Sequence, residues 1–129
     1  MISDVILYGI PNCATVKKAR QWLDERHIEY RFHDFKRQGV PDALAGWMAQ
    51  AGWEALLNRR GTTWRNLPED QKAGIVDATS ALKLMREQAS VIKRPVLHAN
   101  AADGPLLRVG FDADSWQTLF LSTTPSRHD

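Results

Sequence analysis

The first 35 residues alternate between strand-like and helix-like patterns, and this alternation constrains the fold more than any other feature. Residues 4–8 form a short apolar run that ends before Gly9 and Pro11, as a buried strand does. Residues 28–35 alternate again as a second strand. The helical segment between them, residues 14 to about 25, places four apolar side chains on one face, namely Val16, Ala19, Trp22 and Leu23. The unit predicts a right-handed β-α-β crossover with parallel strands.

The rest of the chain predicts a helical layer followed by a second β-rich part. Four short helical segments are expected, at residues 41–50, 53–58, 69–78 and 80–88. Two short strands and a last helix follow, at residues 96–98, 106–109 and from about 113 to 121. The predicted fold class is therefore α/β: a mixed four-stranded sheet with a helical insertion at about residues 41–90 between β-α-β and β-β-α halves. We expect one domain over residues 1–121 and a flexible polar tail over residues 122–129.

Composition excludes several classes of protein. The net charge of this 129-residue chain is only +2, so no partner such as nucleic acid or a membrane surface is demanded, and we expect neither. No segment has the pattern of a signal peptide or the ~20 apolar residues needed to span a bilayer. One cysteine cannot form an internal disulfide, which predicts a reducing compartment, the cytoplasm. We expect a monomer, with no bound cofactor and no metal, because the histidines lack metal-ligand spacing with the cysteine.

The single cysteine, Cys13, lies where the first strand turns into the first helix. Helix N-terminal N–H groups and the helix dipole favour a thiolate there, and Asn12 is expected to be the N-cap. Lys17, one turn further on, opposes the helix dipole unless the turn holds an anion. The alternative is that Cys13 is a buried small apolar residue and that the lysine is ordinary surface charge.

Arginines elsewhere in the chain offer bidentate contacts to a carboxylate or an oxyanion. They are Arg60, which precedes Gly61, Arg94, which precedes Pro95, and Arg108 in the last strand. Arg94-Pro95 can also adopt a cis peptide bond at the start of a strand, which would expose backbone groups toward the thiol. The alternatives are surface charge and a proline that merely begins a strand.

Four stretches of the chain resemble the arsenate reductase (ArsC) family in the family's own order. They are LYGIPNCATVKKA, GWEALLNRRGTTWRNL, IKRPVL and LLRVGF, and they cover nearly the whole chain. The match is nearest to the YffB-like branch, to which Spx-type regulators are related. The resemblance implies a thioredoxin-like fold with a helical insertion and makes Cys13 the active-site cysteine. It also implies that Lys17, Arg94 before a cis-proline, and Arg108 bind an anion.

Three departures from the family pattern argue against arsenate as a substrate. Arsenate reductases carry a histidine where this chain has Gly9, an arginine where it has Asn58, and a hydroxyl residue where it has Val16. Val16 also occupies the position of the second cysteine in the CxxC switch of Spx-type regulators. An internal dithiol switch is therefore excluded by composition.

The function predicted from these residues is thiol–disulfide reduction through Cys13, with glutathione or another small thiol as the co-substrate that resolves the intermediate. A protein disulfide is a further candidate substrate. Carboxylates of glutathione would meet basic and polar side chains, and its backbone would pair beside Pro95. The predicted binding residues are Asn12, Lys17, Arg60, Arg94, Pro95 and Arg108. Two alternatives are a non-catalytic module that docks on another protein and, less favoured, true arsenate reduction.

Overall fold

The computed structural model describes residues 2–121, so the tail predicted at residues 122–129 lies outside the described part. The described chain forms two compact units, one of residues 2–33 with 94–121 and one of residues 34–93. The second unit begins earlier in the chain and ends later than the insertion predicted at about residues 41–90. The elements follow in the order β1 Ser3–Gly9, α1 Ala14–Glu25, β2 Arg31–Asp34, α2 Phe35–Gln38, α3 Leu44–Ala51, α4 Trp53–Leu56, α5 Thr62–Arg65, α6 Glu69–Ala73, α7 Ala78–Glu87, β3 Val96–Ala101, β4 Gly104–Val109 and α8 Ala113–Leu121.

The four strands form one mixed sheet in the order β2-β1-β3-β4, which confirms the predicted fold class. Strand β1 pairs antiparallel with β3, and β3 pairs antiparallel with β4. Tyr8, Val96 and Val109 lie side by side across the three strands. The residues that follow Tyr8 and those that precede Val96 therefore leave the sheet at the same end.

Helix α1 has the predicted bounds and the predicted buried face. Its buried residues are Val16, Ala19, Trp22 and Leu23, as expected from a 3.6-residue period. Trp22 packs edge-on against Trp116 of α8, with ring centroids 5.8 Å apart. Phe111 lies 4.9 Å from Trp116 by the same measure. Together with Leu7 and Leu97 of the sheet, these side chains form the core of the first unit.

Strand β2 is shorter than the predicted strand at residues 28–35. The N–H of Ile28 donates to the carbonyl of Leu23 at 3.0 Å, so this residue is bonded back to the last turn of α1. At the other end the Asp34 carboxylate accepts from the N–H of Lys36 at 2.9 Å and so caps α2, which begins at Phe35. Side-chain alternation cannot show where such local hydrogen bonds replace the strand ladder.

The second unit consists of short helices around apolar side chains, among them Phe35, Trp47 and Met85. The helix predicted at residues 69–78 is wrong in its second half, because α6 ends at Ala73 and α7 begins after Asp77. The Asp77 carboxylate accepts from the N–H of Ser80 at 2.9 Å, and the Ser80 hydroxyl oxygen accepts from the N–H of Asp77 at 3.2 Å. This reciprocal cap begins a new helix.

The strands β3 and β4 extend beyond their predicted bounds into a tight hairpin. The register continues to Ala101 opposite Gly104, so only residues 102 and 103 of the segment between the two predicted strands lie outside β3 and β4. Gly104 has φ +125°, a conformation that other residues rarely adopt. Helix α8 begins as predicted: the carboxylate of Asp112 accepts from the N–H of Asp114 at 3.1 Å. None of the helices within residues 2–121 is both long and apolar enough to cross a bilayer.

Candidate active site

Cys13 is held by backbone hydrogen bonds on both sides. Its N–H donates to the carbonyl of Ile10 at 3.1 Å, which closes the turn after β1, and its carbonyl accepts from the N–H of Lys17 at 2.9 Å. The latter bond makes Cys13 the N-cap of α1, with extended φ and ψ of −86° and 128°. The expectation that Asn12 is the N-cap is therefore wrong. Asn12 lies exposed in the turn, because the first carbonyl to accept within α1 is that of Cys13.

The surroundings of Cys13 favour the thiolate. Partial burial raises the pKa of the thiol, but this effect is outweighed. The N–H of Val16, a hydrogen bond and positive charge from Arg94, and the N–H of Thr15 together lower the pKa below its ordinary value of 9.0. The Cys13 side chain itself makes no N-capping hydrogen bond. Cys13 is also only partly buried, which leaves it accessible.

Arg94 comes from the segment that leads into β3. The peptide bond between Arg94 and Pro95 is cis, which confirms the prediction made for this pair. Pro95 has no N–H, and its carbonyl accepts from the N–H of Gly110 at 2.8 Å. This proline is therefore bonded to the segment after β4 and offers no backbone donor of its own. The structure thus brings Cys13, Arg94 and Pro95 together at one end of the sheet.

The remaining predicted binding residues are exposed and lie in different places. Lys17 is on the first turn of α1. Arg108 is on β4 directly opposite Leu97, and its Nη1 donates to the carbonyl of Leu107 at 3.0 Å. Arg60 belongs to the second unit, where its N–H donates to Oδ1 of Asn58 at 3.2 Å. Binding roles for these side chains stay predictions.

Gly9 and Val16 are in close contact, which sequence reasoning did not reveal. A Cβ atom added to Gly9 would lie 2.8 Å from Cγ2 of Val16 and 3.4 Å from its Cγ1. Val16 is fully buried. A histidine at position 9 would therefore displace Val16, so two of the departures from the arsenate reductase pattern are parts of one packing arrangement. Spacing along the chain carried no signal for this, since the two residues meet across the turn that holds Cys13.

Within residues 2–121, no group of three or more histidine, cysteine, aspartate and glutamate side chains could hold a metal ion. This end of the sheet offers an accessible sulfur nucleophile beside a guanidinium group. A thiolate attacks disulfides and other electrophiles, whereas the neutral thiol does not.

The lowered pKa predicts how stability depends on pH. A thiol whose pKa is lower in the folded than in the unfolded state stabilises the fold when ionised. This stabilisation is complete above the ordinary pKa and is lost as the pH falls through the pKa of the folded state. We therefore expect the free energy of unfolding of the wild type, relative to Cys13→Ser, to increase as the pH rises toward 9.0. Urea denaturation of both proteins across this range measures it, and a constant difference would contradict it.

Comparison with known proteins identifies related sequences over most of the chain. The model of the ArsC family matches residues 8–119. The global transcriptional regulator Spx 1 of Bacillus cereus is 25% identical over 115 residues, which cover 85% of this chain and 82% of that protein.

Two solved structures are similar in both sequence and fold. A YffB protein is 46% identical with a TM-score of 0.79, and the match covers 88% of this chain and 96% of that chain. An arsenate reductase (ArsC) related protein from Brucella melitensis is 45% identical with a TM-score of 0.67, and the match covers 91% of this chain and 94% of the other.

Proposed function

Because this chain belongs to the ArsC family, we propose that it is a thiol–disulfide reductase that acts through the Cys13 thiolate with glutathione as co-substrate. The thioredoxin-like fold is common to the family. One observation carries the proposal: the only cysteine of the chain is partly exposed, and N–H groups of α1 together with Arg94 outweigh the effect of burial and lower its pKa. These are the surroundings that activate a catalytic cysteine.

The proposed reaction has two exchange steps. In the first, the Cys13 thiolate attacks the glutathione sulfur of a mixed disulfide; a new S–S bond forms, the old one breaks, and the substrate leaves as a thiolate that takes up a proton. In the second, a glutathione thiolate attacks the sulfur of the glutathione bound to Cys13. This step releases oxidised glutathione and regenerates the Cys13 thiolate. The net reaction consumes one reduced glutathione and converts the mixed disulfide into the free substrate thiol and oxidised glutathione.

The choice of glutathione rests on composition and charge. With one cysteine in the chain, the second step needs a thiol from outside. Glutathione carries two carboxylates, and Lys17, Arg94 and Arg108 of the first unit are cations that would bind them. Asn12, exposed in the turn before Cys13, would donate to the peptide part of the ligand.

A second candidate function is docking on another protein without catalysis. It is favoured by the similarity to Spx 1, which is a transcriptional regulator by name and matches 85% of this chain. In that case Cys13 would be dispensable. Binding of a partner that is equally strong to the wild type and to Cys13→Ser would favour docking over catalysis.

Arsenate reduction is the least favoured function, although the Brucella relative is described as related to an arsenate reductase. Gly9 and Val16 stand where arsenate reductases have a histidine and a hydroxyl residue, and their close contact leaves no room for the histidine. Asn58 stands in place of an arginine. We expect no arsenate-dependent turnover with glutathione. Turnover comparable to that with disulfides would contradict this expectation.

The experiment that tests the proposed function follows the mass of the intact protein. Exposure to oxidised glutathione is expected to add one glutathionyl group at Cys13, and reduced glutathione is expected to remove it. The glutathionylated protein should also form when a glutathione mixed disulfide of a small thiol is supplied. Failure to form the adduct at a pH at which Cys13 is ionised would overturn the proposal.

A further inference from the structure

The first turn of α1 approaches the end of β1 unusually closely at Gly9. This glycine is buried, and its backbone lies against the γ-methyl groups of Val16. No left-handed φ is involved at this position, so conformational freedom does not explain the glycine. The explanation is space: a Cβ atom 2.8 Å from Cγ2 of Val16 is closer than real Cβ atoms come, and something would have to shift.

Val16 has little freedom to move outward. It is fully buried and β-branched, so its side chain has one strongly preferred rotamer in a helix. Interiors are close-packed, so relief of a clash at this side chain must come from displacement of the backbone that carries it. That backbone is the first turn of α1, whose N–H groups at Thr15 and Val16 act on the Cys13 sulfur.

We propose that Gly9 is a positioning residue: its missing side chain leaves room for Val16 beside β1, so that the first turn of α1 is not displaced and its N–H groups stay at the Cys13 sulfur. This role of Gly9 rests on the proposed function in one respect, because both take the thiolate as the reactive form of Cys13. Gly9 acts indirectly, through α1, since a glycine has no side chain with which to contact the sulfur or a substrate.

Arg94 also acts on the sulfur and is separate from this contact. It acts from the segment before β3, with both a hydrogen bond and its charge. A displacement of the first turn would weaken the N–H contribution and leave the guanidinium in place, so the expected loss is partial.

A double-mutant cycle tests the proposal. Gly9→Ala is expected to raise the pKa of Cys13, seen as about a threefold or greater loss of iodoacetamide alkylation rate at pH values below that pKa. Gly9→Ala/Val16→Ala should restore the wild-type pKa, because the nearest remaining atom would be Cβ of Val16, at 3.7 Å. Val16→Ala alone should leave the pKa unchanged and lower the melting temperature.

The cycle separates positioning from general destabilisation. The double variant is expected to be less stable than the wild type, while the pKa of its Cys13 equals that of the wild type. The matched control is Gly46→Ala on α3, where an added Cβ meets nothing within 4 Å, and both pKa and alkylation rate should be unchanged. A folded Gly9→Ala protein with the wild-type pKa, or a double variant that keeps the raised pKa, would overturn the inference.

A measurement on the wild type covers the case in which Gly9→Ala does not fold. The amide resonance of Val16 should shift with the ionisation of Cys13 in a pH titration followed by NMR, whereas that of Gly46 should not. A Val16 amide chemical shift that does not change as Cys13 ionises would contradict the inference. Alkylation and NMR do not involve glutathione, so a failure of glutathionylation would refute the proposed function and leave this inference standing.

Discussion

Cys13→Ser is expected to lose all reductase activity toward glutathione mixed disulfides. The chain contains no other cysteine, so no second thiol can take over the attack, and a serine hydroxyl does not form the mixed disulfide. The substitution removes one partly exposed sulfur atom and leaves the backbone bonds to Ile10 and Lys17 in place, so the fold should persist. Turnover of a glutathione mixed disulfide with reduced glutathione measures the loss, and circular dichroism checks the fold.

A relocated thiol provides the matched control for Cys13→Ser. Ser3 is exposed at the start of β1, whereas Arg94 lies near the other end of that strand, where Tyr8 pairs with Val96, so Cys13→Ser/Ser3→Cys places an accessible thiol away from Arg94. We expect this double variant to remain inactive. Full activity in it would mean that any accessible thiol suffices, and activity in Cys13→Ser itself would exclude Cys13 as the nucleophile.

Arg94→Gln is expected to raise the pKa of Cys13, because it removes both a hydrogen bond to the sulfur and a positive charge beside it. At a pH below the pKa, a rise of one unit in the pKa of Cys13 makes the fraction of thiolate about tenfold smaller. The rate of alkylation by iodoacetamide should fall accordingly. Measuring this rate as a function of pH gives the pKa directly, whether or not glutathione is the physiological thiol.

Two further arginine variants show which property of Arg94 matters. Arg94→Lys keeps the charge but not the planar donors, so its Cys13 pKa should lie between those of the wild type and Arg94→Gln. Arg86→Gln removes an exposed arginine from α7 and should leave the pKa unchanged. An unaltered pKa in Arg94→Gln would show that the N–H groups of α1 alone favour the thiolate.

Secondary-structure elements with a local pattern, such as an apolar period or a capping residue, were predictable from the sequence. Helix α1 has its predicted bounds because four apolar residues recur at helical spacing over its twelve positions. Helix α8 begins where Asp112 can cap it. By contrast, β2 is four residues long, because the hydrogen bond of Ile28 to Leu23 and the cap at Asp34 both shorten it.

The helices of the second unit show why boundaries were harder to predict. Helices α2 and α5 have four residues each and were not predicted, because one turn is too short for an apolar period. The break between α6 and α7 depends on the reciprocal cap of Asp77 and Ser80. Residues 69–88 contain enough helix-forming residues for either one longer helix or two. The hydrogen bonds between Asp77 and Ser80 begin a new helix, so the segment forms two helices.

The sequence by itself determined that Cys13 stands at a strand-to-helix turn and that no second thiol can assist it. Only the tertiary structure decided what surrounds the sulfur. Arg94 reaches it because β3 pairs with β1 in a register that sets Val96 beside Tyr8, and hydrogen bonds between distant strands leave no local pattern. The contact of Gly9 with Val16 depends in turn on how closely α1 packs on β1, which the volumes of side chains settle in three dimensions.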